Sequence, residues 1–311
     1  MPRVGIVGVG LIGRAWSNVF ARAGWDVRLF DTDEQTREAA PELIHESLQD
    51  LARHGLVADA DGAGERLAAA ATLAEAVDGA DLVQESGPEH VESKLEIFKE
   101  LDAAAPPSAV LASSSSAIVA SRFTKELAGR DRCLIAHPVN PPHIVPIVEL
   151  CGAPWTSPAV IERAREIYNS VGQVPVEVKK ETDGFLLNRM QAVLLTEALR
   201  LVSEGYCTAT DLDKTIAYGL GLRWSFMGPF ETIELNAPGG IADYCERYGP
   251  AFYEVAAAEV AQDIWSKATT DRVAADWGPT PTEDDVTRKS RWRDDRLAAL
   301  MAHKRAQKSY E

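Results

Sequence analysis

Over roughly the first 180 positions, short apolar runs alternate with stretches of helical spacing, and this pattern sets the expected architecture. RVGIVG at 3–8 is β-branched and ends in glycine, LIGRAWSNVFARAG carries apolar residues at helical intervals, and DVRLFD at 26–31 is strand-like again. Strand, tight turn, helix and strand within about thirty residues make a βαβ unit. Further apolar runs at 81–86, 109–114, 132–138, 146–152 and 174–180 predict a doubly wound, mostly parallel sheet. The last runs are too close together for helical crossovers, so an antiparallel edge is expected. The stretch 36–70 is rich in Ala, Leu and Glu and reads as a helical excursion outside the sheet, broken near DADGAG at 59–64. After Thr182 the pattern becomes helical, beginning with GFLLNRMQAVLLTEALRLVSEG. The expected fold is therefore α/β: a Rossmann-type doubly wound sheet in residues 1–182, followed by a smaller all-helical domain in residues 183–311.

Charge and cysteine usage restrict the function classes. With 32 Lys and Arg against 47 Asp and Glu, the formal charge of −15 disfavours nucleic acid and anionic membrane surfaces as partners. Cys133, Cys151, Cys207 and Cys245 are dispersed without CxxC spacing, so neither a metal site nor a disulfide framework is expected. The N-terminus enters a strand directly, with no charged-then-apolar leader, and no apolar run approaches membrane-spanning length. A soluble cytoplasmic protein is the expectation.

The first βα turn carries the candidate cofactor site. In GVGLIG, Gly8 permits the sharp turn, Gly10 lets the backbone approach a pyrophosphate, and Gly13 lets the helix pack on the sheet. Gly8, Gly10, Leu11, Ile12 and Gly13 are the expected cofactor-binding positions, with phosphates at the helix N-terminus. Asp31, at the end of the second strand, can accept from an adenosine ribose and would repel a 2′-phosphate, which favours NAD over NADP. Asp33 adds to that field, and Arg28 is expected to point elsewhere. An acid that merely ends a strand in solvent is the competing reading of Asp31.

The candidate chemistry lies in AHPVNPP, where His137 and Asn140 end a strand and Glu149 follows twelve residues after the histidine in the next apolar run. A histidine beside prolines can be structural. Paired with a carboxylate it becomes a plausible base, because the carboxylate orients the ring and stabilises imidazolium while a cofactor takes the hydride of an alcohol. Asn188, at the start of the long apolar helix, can present a fixed donor to developing negative charge, or serve as a helix cap. Four consecutive serines at 113–116 leave open which of them faces a site.

These segments, together with GVGLIGRAW, SSSSAIVAS, AHPVNPPHIVPIVELC, GFLLNRMQ and LGLRWSFMGPFETIELNAPGG, resemble the 3-hydroxyacyl-CoA dehydrogenase family, and within it the lambda-crystallin branch, L-gulonate 3-dehydrogenase. The resemblance spans nearly the whole chain. It implies His137 as general base with Glu149 as its partner, Ser116 and Asn188 bonded to the reacting oxygen, and Asn140 in a supporting role. It also implies that Glu89 and Lys94 contact the nicotinamide side of NAD, although Lys94 also reads as one half of an exposed helical salt bridge. A homodimer through the helical domain is implied as well. The family often has phenylalanine after the catalytic histidine, whereas Pro138 and Val139 stand here, a change shared by the lambda-crystallin branch.

The excursion at 36–70 would lie near the site mouth of such a fold. It carries Glu38, Glu42, Glu46, Asp50, Asp59, Asp61 and Glu65 against three arginines, which disfavours a polyanionic thioester. The expected substrate is a small free hydroxy acid, with Arg223 as a candidate bidentate clamp for its carboxylate or else a surface arginine. Two alternatives remain open: a short-chain 3-hydroxyacyl-CoA dehydrogenase, and a non-catalytic crystallin-like structural protein. The basic C-terminal stretch RKSRWRDDRLAALMAHKR, interrupted by Asp294 and Asp295, reads as a solvated helical face.

Overall fold

The computed structural model describes residues 1–256, 261 and 263–307. The chain forms two compact units, Met1–Arg189 together with the C-terminal stretch beginning at Lys289, and Met190–Arg288.

The first unit is built on eight strands: β1 (Arg3–Val7), β2 (Asp26–Phe30), β3 (Leu67–Ala69), β4 (Leu82–Glu85), β5 (Val110–Ser113), β6 (Cys133–Pro138), β7 (Ile147–Gly152) and β8 (Val174–Glu177). Their order in the sheet is β3-β2-β1-β4-β5-β6-β7-β8. All pairs are parallel except β6 with β7, whose antiparallel register sets His137 opposite Glu149. The order reverses between β1 and β4, and such a switch point leaves a crevice at the carboxyl ends of the strands.

Alternation along each strand sorts its side chains to two faces. Val4, Ile6, Val27, Leu29, Leu82, Leu134 and Leu150 join one apolar layer, and Val7, Val83, Leu111, Ile135 and Cys151 the other. Helices α1 (Leu11–Arg22), α2 (Glu34–Arg53) and α7 (Pro158–Ser170) cover the first face, whereas α5 (Val91–Ala104) covers the second; between them in sequence lie the short helices α3 (Ala60–Gly64), α4 (Leu73–Val77) and α6 (Ser121–Thr124). This is the doubly wound α/β arrangement that the pattern predicts.

Three details differ from the sequence reading. Leu67–Ala69 is a strand, paired in parallel with β2, although it falls in the stretch expected to lie outside the sheet. Three residues are too few to show a period, and two of them are alanine. DADGAG does not break the excursion: Asp59 caps α3 by accepting from Gly62 N at 2.9 Å, and the interruption comes earlier, at Gly55 with φ +70°. Only one of the last strand connections is a tight antiparallel return, because α7 carries the chain from β7 to β8 as a parallel crossover.

The second unit is helical. It contains most of α8 (Leu187–Ser203) and the helices α9 (Ala209–Thr215), α10 (Gly221–Trp224), α11 (Pro229–Glu234), α12 (Gly240–Ala256) and α13 (Lys267–Trp277). The first turn of α8 and the C-terminal part of α14 (Glu283–Ala306) belong to the first unit. There Ala298 is buried, and Leu297, Met301 and Ala302 pack on the apolar layer beneath α1 and α2. No helix among the described residues is long and apolar enough to cross a membrane.

Candidate functional site

Two of the three fingerprint glycines, Gly8 and Gly13, meet steric demands that a side chain would not satisfy. Gly8 has φ +88°, and a Cβ there would lie 2.7 Å from the carbonyl carbon of Ser86; a Cβ on Gly13 would lie 1.8 Å from the carbonyl oxygen of Gly8. Over Gly10 the space is open. Gly10 is the N-cap of α1, no side chain caps that end, and its first turn holds no acidic residue, so the amides at Leu11, Ile12 and Gly13 are left for an anion. Leu11 is exposed beside this opening, whereas Ile12 packs on the core. Asp31 braces the loop from β2: Oδ2 accepts from Val9 N at 2.9 Å and Oδ1 from Asp33 N at 3.0 Å, which leaves lone pairs for ribose hydroxyls. These residues fit a dinucleotide. Arg28 turns away to Asp26 at 3.0 Å, as expected, and Asp33 caps α2 through Thr36 N.

His137 is buried near the end of β6, and its Nδ1 lies 2.8 Å from Glu149 Oε2 on β7. The other carboxylate oxygen accepts from Leu186 N at 2.8 Å and Leu187 N at 3.1 Å, so Glu149 also caps the N-terminus of α8. Burial works to raise the Glu149 pKa, but the bonds from His137 and the two amides outweigh it and hold the carboxyl below its usual range. An ionised acceptor at Nδ1 fixes the proton there and leaves the Nε2 lone pair free. Among the described residues Nε2 has no protein partner, and it is not sealed from solvent. Phe185, fully buried, lies with its ring centroid 5.4 Å from that of the imidazole. Gly184 and Phe185 have φ of +74° and +50°, a left-handed turn that brings the next two amides to Glu149.

The serine run is resolved by what each hydroxyl touches. Ser113 Oγ donates to Glu85 at 2.6 Å, Ser114 Oγ is bonded to Trp16, Gln84 and Ser86, and Ser115 Oγ donates to Glu89 at 2.6 Å. Ser116 is exposed, and among the described residues its hydroxyl is unengaged. Glu89 Oε1 holds this loop by accepting from the amides of Ser116 and Ala117, both at 3.0 Å. Burial opposes ionisation of Glu89, but the Ser115 hydroxyl, these amides and Lys94 prevail and lower its pKa. Asn188 Nδ2 donates to the Ser116 carbonyl at 3.2 Å, so the structure brings Ser116, Asn188 and Glu89 together.

Lys94 departs from the exposed salt-bridge reading. It is buried, with Nζ 2.7 and 2.9 Å from the two oxygens of Glu85 and 3.9 Å from Glu89 Oε2. Glu85, buried on β4, and Phe185 are the residues that sequence reasoning missed; an acid ending an apolar strand and an aromatic after glycine were the available signals. Asn140 is exposed, and its side chain makes no hydrogen bond among the described residues. Arg223 lies exposed in α10 of the second unit.

Residues 3–182 match the profile "3-hydroxyacyl-CoA dehydrogenase, NAD binding domain", and residues 184–281 match the C-terminal domain of the same family. The chain belongs to the 3-hydroxyacyl-CoA dehydrogenase family. It is 41% identical to a lambda-crystallin homolog of Mus musculus over 95% of this chain and 94% of that protein. It is also 35% identical to an L-carnitine dehydrogenase of a Pseudomonas species, over 95% and 91%. Among solved structures it resembles 5-formyl-3-hydroxy-2-methylpyridine 4-carboxylic acid 5-dehydrogenase, an NAD+-dependent dismutase, with TM-score 0.84, 25% identity and coverage of 99% and 100%. The 3-hydroxybutyryl-CoA dehydrogenase of Escherichia coli K12 gives TM-score 0.68 and 26% identity, covering 87% of this chain and 56% of that one. The family places the protein among NAD-dependent dehydrogenases acting on CH–OH groups.

Proposed function

We propose that this dehydrogenase oxidises the 3-hydroxyl of a small free hydroxy acid of the L-gulonate type to the 3-keto acid. The observation that carries the reading is the His137–Glu149 pair, in which the carboxylate accepts a hydrogen bond from Nδ1–H and so leaves Nε2 as a free base. In the proposed step the hydroxyl proton moves to His137 Nε2, and Glu149 stabilises the imidazolium that forms. NAD, when bound, accepts the hydride from the carbinol carbon. The Ser116 hydroxyl and the Asn188 amide hold the reacting oxygen, with Asn140 in support. On this reading Glu89 contacts the nicotinamide side of the dinucleotide, Lys94 supports it from behind while buried on Glu85, and Gly8, Gly10, Leu11, Ile12, Gly13 and Asp31 would hold the rest.

Electrostatics favour a free acid over a CoA thioester. A cavity of about 780 Å³ between α2 and the middle of α14 is lined by Glu46, Asp50, Asp294 and Asp295 against Arg53 and Arg291, an excess of negative charge that would oppose a polyanion there. Arg223 is the proposed clamp for the substrate carboxylate. The second reading, a short-chain 3-hydroxyacyl-CoA dehydrogenase, draws on the likeness to the Escherichia coli enzyme. Assays of L-gulonate, L-carnitine and 3-hydroxybutyryl-CoA with NAD, followed by NADH absorbance, separate the readings. Turnover of L-gulonate is expected, a preference for the CoA ester would overturn the substrate choice, and no turnover at all would favour a crystallin-like structural role. Arg223→Ala should raise KM for the acid; an unchanged KM removes the clamp.

We place the enzyme in the cytoplasm as a homodimer formed through the helical unit. Met190, Val193, Phe226, Phe230, Phe252 and Tyr253 are all more than half exposed there, apolar surface that the proposed second copy would cover. Light scattering is expected to give twice the chain mass.

A further inference from the structure

Ser86 begins the loop after β4, and none of the roles above involves it. It ends a buried polar chain that starts on α7. The hydroxyl of Tyr168, fully buried, donates to Gln84 Oε1 on β4. Gln84 Nε2 donates to Ser114 Oγ at 2.8 Å, Trp16 Nε1 donates to the same oxygen at 3.1 Å, and Ser86 Oγ lies 2.9 Å from it.

Donor and acceptor capacity fixes the proton directions. An indole N–H only donates. If the Gln84 amide were turned round, its NH2 would face Tyr168 and leave the buried tyrosine proton without an acceptor, so the carboxamide oxygen stays on the tyrosine side. Ser114 Oγ then accepts two bonds, which fills both its lone pairs, and its own proton goes to Ser86 Oγ. The proton of Ser86 is thereby turned out of the chain and finds no acceptor among the described residues. Ser86 is half-buried, its amide donates to Val7 O at 2.7 Å, and its backbone packs against Gly8 of the fingerprint. That position is the crevice between β1 and β4, where doubly wound sheets hold dinucleotides.

We propose that Ser86 is a cofactor-binding residue whose hydroxyl donates to a ribose or phosphate oxygen of bound NAD, with Tyr168, Gln84 and Ser114 as the positioning residues that aim it. The inference rests on NAD binding by this family member, and the test separates the two. Titrations of the full-length protein with NAD+ and with ADP-ribose, read by quenching of tryptophan fluorescence, report affinity without turnover. Ser86→Ala is expected to weaken both ligands about 3- to 10-fold, the loss of one hydrogen bond, measured at a temperature where both proteins are folded. Tyr168→Phe frees the Gln84 amide to turn and should weaken NAD+ about 2- to 3-fold in the wild-type background but not in Ser86→Ala. Equal affinity of Ser86→Ala and wild type overturns the inference while leaving NAD binding intact. A loss for NAD+ without a loss for ADP-ribose overturns the ribose or phosphate acceptor, and a wild-type protein that binds neither ligand overturns the cofactor along with it.

Discussion

Glu85 and Glu149 are both buried carboxylates presented by strands of one sheet, and they differ in what they hold. Glu85 on β4 is closed off: Lys94 binds both of its oxygens, and Ser113 Oγ and Gly87 N, each at 2.6 Å, complete the shell. Glu149 on β7 holds the imidazole proposed as the base, and its own carboxyl is kept below the usual range by that bond and by two amides. The same sheet therefore carries one pair suited to holding loops at the crevice and one suited to moving a proton. Replacing a buried ion pair by apolar side chains is often neutral or stabilising, so the Glu85–Lys94 pair is better understood through what it positions than through stability.

The largest expected effect tests the proton-moving pair. In His137→Asn the shorter amide can still donate to Glu149 from near the Nδ1 position, but the base at Nε2 is gone. We expect kcat to fall about 10²- to 10⁴-fold with only a small change in melting temperature. If kcat were preserved, the proposed base would be wrong and the contrast with Lys94 would disappear. Glu149→Gln should lower kcat less, because the imidazole remains but loses its counter-charge.

Lys94→Met tests the fixed pair, and the loss should appear first in stability. Uncompensated Glu85 is expected to cost about 3–5 kcal/mol in urea unfolding, and adding Glu85→Gln should recover much of it. A single variant as stable as wild type would contradict the buried pairing.

Which of these pairs could be read from the sequence follows from their geometry. His137 and Glu149 sit on neighbouring antiparallel strands joined by a short connection, so their spacing of twelve already implied proximity once both strands were recognised. Glu85 and Lys94 meet across a strand-to-helix turn, where sequence distance carries no periodic signal, and on α5 alone Lys94 looks like any amphipathic lysine. The main strands were visible because parallel strands buried on both faces are continuous apolar runs. The edge strand Leu67–Ala69 was not, since it is short and alanine-rich. Within the serine run the spacing alone singled out no residue and Ser116 was named through the resemblance; in the structure the hydroxyls of Ser113, Ser114 and Ser115 are engaged.

His143 offers a third case in the same unit, a half-buried imidazole with a buried Nδ1 and no carboxylate partner among the described residues. Its Nδ1 has no partner among the described residues, and burial, with the nearby Arg22 charge adding to it, lowers its pKa to about 4. The unfolded chain takes up a proton at this position as pH falls through about 6.5, while the folded protein does not until about 4. The unfolded state therefore binds more protons in that window, and stability is lost progressively from about pH 6.5 downward. The depressed carboxylates Glu149 and Glu89 act at lower pH, since their contribution is complete above the ordinary glutamate value of about 4.3. Between pH 7 and pH 5 the histidine is expected to account for about 1–2 kcal/mol, measured as the difference in urea unfolding free energy. His143→Gln should flatten this dependence without altering the Nε2 chemistry at His137. Equal pH slopes for the variant and wild type would mean that this half-buried imidazole is not held neutral, and that a carboxylate partner is not what distinguishes His137 from its neighbour.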